Sequence, residues 1–152
     1  MGMYPPGSSP RPGDPVGEIL RGARIVSIVM LLGVLAFVGI VYGLPLGGGR
    51  AQVMVLPAAL FGLVAPAVGY RVYHTMRERN PRDEPLRVRC QAFLRAIIVP
   101  LAITEGAALL GLVVYMLSRD LVALTGSLTH VLLTGAVWPS RTRLDLFVGN
   151  GR

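Results

Sequence analysis

Residues 96–117 read AIIVPLAITEGAALLGLVVYML, a stretch with one formally charged side chain, Glu105, near its centre. About 20 apolar residues in a helix cross a hydrocarbon core of roughly 30 Å. The stretch is apolar on every side, which predicts a helix surrounded by lipid and other helices, not one resting a single face on a soluble core. A carboxyl at that depth is expensive to hold, so Glu105 is the first candidate for a functional position.

Three further stretches have the same character: 25–46, 53–73 and 121–138. The chain is 53% hydrophobic and only 15% charged, with a mean hydropathy of +0.59. A soluble domain averages about 25% charged residues. The predicted fold class is therefore all-α, a four-helix transmembrane bundle of two antiparallel hairpins. Residues 1–15 are rich in Pro and Gly and predict a disordered N-terminus. Residues 16–139 form the predicted transmembrane domain, interrupted by a cytoplasmic loop over 74–90, and 140–152 form a basic cytoplasmic tail. Asp14-Pro15 has the pattern of a helix start, and Asp83 or Glu84 before Pro85 could cap the third helix. The apolar core of the first stretch exceeds a usual signal-peptide core, which favours a retained span.

All 15 basic residues are arginine, and the formal net charge is +7. The arginines flank the apolar stretches instead of forming a basic face with interleaved aromatics, so nucleic acid is not an expected partner. The N-terminal segment, the 74–90 loop and the tail carry most of them; the two remaining connections carry only Arg50 and Arg119. The positive-inside rule then puts both termini and the central loop in the cytoplasm of a bacterial inner membrane. The remaining connections, Gly47–Arg50 and Ser118–Asp120, are short, which predicts antiparallel neighbours on either side of each.

Small residues recur at four-residue spacing: Gly39-x-x-x-Gly43, Ala58-x-x-x-Gly62, Ala65-x-x-x-Gly69, Ala102-x-x-x-Gly106 and Ala107-x-x-x-Gly111. Such pairs let backbones approach closely, which suits a tight bundle, a homo-oligomer or a contact with other membrane subunits. Leu31–Leu44 overlays Ile103–Met116 at an offset of 72, matching Ala36 with Ala108 and Gly39 with Gly111, a faint internal repeat.

The fourth stretch carries a polar stripe, Ser127, His130 and Thr134, at three- and four-residue spacing and hence on one helical face. Glu105 lies 14 residues before Arg119, so the position of equal depth on the returning helix is Leu133. Thr134 is one residue from it, and His130 is three residues away, about 4.5 Å along the axis. Glu105 could therefore meet His130, Thr134 and Ser127, while the adjacent Thr104 is turned away from Glu105 by roughly 100°. Three readings stand: a structural carboxyl that ties helices together, a reversible proton site, and a ligand site. No second His or Cys stands at matching depth, so no metal and no cofactor are expected. Cys90 alone makes no disulfide framework. No nucleophile elbow, Walker loop, HExxH or CxxC occurs, and an enzyme is not expected.

Arg79-Asn80-Pro81 followed by Ala102–Tyr115 resembles the second half of the proteolipid hairpin of rotary ATPases, the c subunit. The resemblance implies that Glu105 is the proton-carrying acid. It covers roughly 40 residues and departs from the family in the preceding helix, where Pro57 and Pro66 replace a dense glycine stripe. On balance the chain looks more like small four-helix bacterial membrane proteins of unknown function that carry an Ala-x-x-Glu-type third helix, here Ala102–Glu105, and a tail like Pro139-Ser140-Arg141-Thr142-Arg143. That second likeness implies the architecture and no activity.

Overall fold

The computed structural model describes residues 15–43, 52–79 and 84–148. The expected Asp14 cap, the Gly47–Arg50 connection, Asp83 and the end of the tail lie outside these residues. Among the described residues the fold is all-α, with no strand. Helix α1 spans Pro15–Gly43, α2 Gln52–Glu78 and α3 Leu86–Ser118; a 3₁₀ turn, Leu121–Leu124, leads into α4, Thr125–Ala136, and α5 covers Arg141–Val148. Three of these helices are long and apolar enough to cross a membrane. The count becomes four if 121–136 and α5, which meet at a bend of 71°, are one broken span.

Helix α3 is the organising element. Half of its most apolar window is buried within the chain, against 33% for α2 and 17% for α1. It packs on α1, α2, α4 and α5, whereas α1 and α2 scarcely touch each other. The expected first hairpin is thus corrected: its two arms both lean on α3. The reason lies in the side chains. Helix α2 buries Ala58, Ala59, Gly62, Ala65 and Gly69, and a Cβ on Gly69 would lie 3.2 Å from the Pro100 carbonyl oxygen of α3. Helix α1 meets α3 through bulkier groups such as Val34 and Val41, while Gly39 and Gly43 have nothing within 4 Å. The Gly39-x-x-x-Gly43 pattern therefore makes no close helix contact among the described residues.

Gly126 sits where three backbones converge. A Cβ there would lie 2.6 Å from the Ala107 carbonyl oxygen on α3, and a Cβ on Gly62 of α2 would lie 2.6 Å from the Gly126 nitrogen. Gly111 is equally closed, its missing Cβ overlapping the Ala123 carbonyl oxygen. Thr129 strengthens the same crossing by donating to the Gly62 carbonyl at 2.7 Å, a contact the sequence reading did not foresee.

The ends of α3 are built differently from each other. At its start no side chain caps the helix, so neither Glu84 nor any other side chain performs the expected role; Pro85 itself occupies the N-cap. At its end Arg119 takes the left-handed conformation, φ 59°, and its N–H donates to the Tyr115 carbonyl. Asp120 then accepts from Val122 N–H at 3.0 Å to start the 3₁₀ turn, and from Gln52 of α2 at 3.0 Å. Helix α3 begins ten residues before the expected span, at Leu86 and not Ala96, and continues through Pro100.

Residues 141–148, read in the sequence as part of a basic tail, form α5 and fold back on the bundle. Leu144, Phe147 and Val148 are buried in one cluster with Cys90, Phe93 and Ile97 of α3 and Tyr73 of α2. Arginines hold this return. Arg89 donates to the Val148 carbonyl at 2.6 Å, Arg24 to that of Pro139 at 3.1 Å, and Arg143 to that of Ala136. Free carbonyls at the ends of helices accept well from such donors, and the helix dipole adds to the attraction.

Replacing Gly126 by valine drives a branched side chain into two backbones, where no rotamer change relieves it. Overpacking typically costs about 1–3 kcal/mol, and contact with rigid backbone puts this case at the upper end or beyond. Thermal unfolding followed by circular dichroism in detergent should show Gly126→Val strongly destabilised and Gly39→Val close to wild type.

Candidate functional site

The two polar groups that share a depth in the sequence point in different directions. His130 is fully buried, and its Nδ1 lies 2.9 Å from Thr104 Oγ1. Thr104 is also fully buried, with its hydroxyl 3.1 Å from the Leu101 carbonyl and 3.2 Å from that of Pro100. A hydroxyl has one proton to give. When Thr104 gives it to its own helix, the imidazole Nδ1–H donates to Thr104 and Nε2 presents a lone pair. Nε2 is buried and has no hydrogen-bond partner among the described residues.

Glu105 is turned toward α1. Its Oε1 lies 3.4 Å from where a Cβ on Gly33 would stand. The side chain is half-buried, and among the described residues it makes no hydrogen bond or ion pair. The expected Glu105–His130 contact is therefore not formed. Successive helical residues differ by about 100°, so once Thr104 faces α4, Glu105 must face elsewhere.

The rest of the polar stripe is local. Thr134 donates to the His130 carbonyl of its own helix at 2.8 Å, and Ser127 makes a long contact of 3.4 Å with the Ala108 carbonyl. Neither reaches Glu105. The residue overlooked in the sequence is Thr104. It stands three and four positions before Ala107 and Ala108, the small residues that mark the α4-facing side of α3, and that spacing was the signal.

No group of three or more His, Cys, Asp or Glu among the described residues is arranged to hold a metal. The arrangement therefore comprises a sealed Thr104–His130 link between α3 and α4 and an unpaired carboxyl at the α1–α3 seam. Comparison with protein families, characterised proteins and solved structures found no match to this chain.

Thr104→Val removes the only hydrogen-bond partner of the His130 ring among the described residues. Leaving a buried polar group unsatisfied costs about 1–3 kcal/mol. Detergent thermal unfolding should register that loss, whereas Glu105→Gln, which breaks no bond, should leave the transition in place.

Proposed function

We propose that the chain is a multi-pass integral membrane protein that acts as a non-enzymatic accessory subunit, with Glu105 as its polar contact for a neighbouring transmembrane helix. The membrane part of this reading rests on surface chemistry. Ile25, Val29 and Leu32 of α1, Val53, Leu56 and Leu60 of α2, and Leu128 and Leu132 of α4 are all more than half exposed. Large contiguous apolar surfaces mark membrane or protein contacts, and helices satisfy their own backbone groups in lipid. With the Arg-rich end inside, both described ends of the bundle face the cytoplasm of a bacterial inner membrane.

One observation carries the accessory role: a carboxyl near mid-length of the central helix, half-exposed and without a partner among the described residues. Hydrocarbon offers it nothing to bond. A hydrogen-bond donor or a basic group on an adjoining helix, from a second copy or another subunit, would satisfy it. Ala102 and Gly106, which flank Glu105 on α3, are exposed, and Gly106 has nothing within 4 Å of its missing Cβ. Small residues there leave room for close approach.

The same observation supports a second reading. A carboxyl open to the bilayer and free of partners is placed to pick up and release a proton, the role that likeness to the rotary ATPase proteolipid implies. The two readings separate cleanly by experiment. For a subunit contact, Glu105→Leu should abolish the higher-order species seen by native electrophoresis in mild detergent, and Glu105→Gln, which keeps a donor and an acceptor, should retain it. For proton exchange, dicyclohexylcarbodiimide should label Glu105 in membranes, with labelling lost in both variants and assembly unchanged. A monomer in every variant, together with no labelling, would remove both.

A further inference from the structure

At the arginine-rich end of the bundle α2, α4 and α5 enclose a half-open cavity of about 250 Å³. Tyr70, Tyr73, His74 and Arg77 line it from the last turns of α2, Ala136 from the end of α4, and Arg143 and Leu146 from α5. We propose that this cavity binds a phosphate ester and that its resident is the headgroup of an anionic phospholipid.

Charge is the first argument. Two arginines line one cavity and no Asp or Glu does. Arg77 makes no hydrogen bond or ion pair among the described residues, and Arg143 spends one N–H on the Ala136 carbonyl, which leaves other donors of its fork available. Guanidinium forks match phosphate oxygens in pairs.

Preorganisation is the second. Tyr70 packs edge-on against His74 with ring centroids 4.5 Å apart, and Tyr73 meets the same imidazole at 5.8 Å and 88°. Tyr70, Tyr73 and His74 thus form one aromatic cluster in the lining that they share with Arg77 and Arg143. Tyr73 is itself buried, in the cluster that docks α5.

Size and setting choose the ligand. The cavity falls just below the roughly 300–1,000 Å³ of sites for drug-sized molecules, which suits a headgroup. Leu146 and Ala136 are exposed and give the cavity an apolar edge. Tyrosine and arginine side chains with apolar bodies and polar tips belong at the level of lipid headgroups. A lipid phosphate satisfies both the charged floor and the apolar edge; a free phosphate ester satisfies the floor alone.

The test uses the full chain, delipidated in dodecyl maltoside, and native mass spectrometry of bound adducts. One arm adds dioleoyl phosphatidylglycerol, a second adds glycerol 3-phosphate, and a third adds dioleoylglycerol, which lacks the phosphate. Phosphatidylglycerol should bind at least ten-fold more tightly than dioleoylglycerol. Arg77→Gln should weaken its binding about ten-fold, Ala136→Phe should do the same by filling the cavity, and Arg79→Gln, outside the cavity, should change nothing. Glycerol 3-phosphate bound as tightly as the lipid would keep the phosphate site and overturn the lipid assignment. Equal retention of phosphatidylglycerol by wild type, Arg77→Gln and Ala136→Phe, or no binding of either phosphate ester, would overturn the site itself. The glycerol 3-phosphate arm needs no bilayer, so it tests the cavity independently of the membrane reading.

Discussion

The approach of three backbones at Gly126 decides how this bundle is put together. On the membrane reading proposed above, burying leucine against leucine gains these helices little, because lipid is as apolar as either partner. What remains is close packing and polar contact, and both are concentrated here. Gly126 lets α4 settle between α2 and α3. That seating brings Thr129 to the Gly62 carbonyl and, one turn on from Gly126, His130 to Thr104. The polar links follow from the small-residue crossing, since each needs its helix pair at the distance the missing side chains allow.

The arginine-rich end follows a different logic. There the bundle has a cluster of large side chains, with Phe93 against Phe147 at 5.4 Å between ring centroids. Helix α5 has only eight residues, too short to persist alone. It is held because three apolar side chains enter that cluster and because arginines from α1, α3 and α5 itself cover the exposed carbonyls of α4, α5 and the bend between them. Arginine at this end thus has a folding role in addition to the topological one that its distribution suggests.

Much of the architecture was legible before any coordinates. The apolar stretches locate α1, α2, α3 and the 121–136 segment, because length and all-round hydrophobicity are properties of each segment alone. The buried small-residue faces of α2 and α3 were legible for the same reason. Azimuth was not. Counting residues from the Ser118–Asp120 turn placed Thr104, Glu105 and His130 at similar depth, but depth does not say which of two adjacent residues faces α4. Helix α5 was hidden by composition: arginines at 141 and 143 read as a solvated tail, while Leu144, Phe147 and Val148 are too few to announce an apolar face. The scarcity of α1–α2 contact among the described residues was hidden too, since a short connection constrains where two helix ends meet and says little about which third helix each prefers.

Thr104 and Glu105 are neighbours with opposite fates, and the contrast bears on what the molecule is for. Thr104 is sealed in the core and bonded to its own helix and to His130, so its chemistry is complete within the chain. Glu105 is half-exposed and bonded to nothing among the described residues. A carboxyl kept for the internal stability of α3 would be expected toward His130, whose Nε2 lone pair has no partner among the described residues and could accept from a protonated acid. It stands instead beside Gly33, where the α1 backbone has no side chain to offer it. On the reading proposed above, Glu105 serves something outside the chain, whether a donor on an adjoining helix or a proton. The buried imidazole, in contrast, has its Nδ1 engaged within the fold by Thr104.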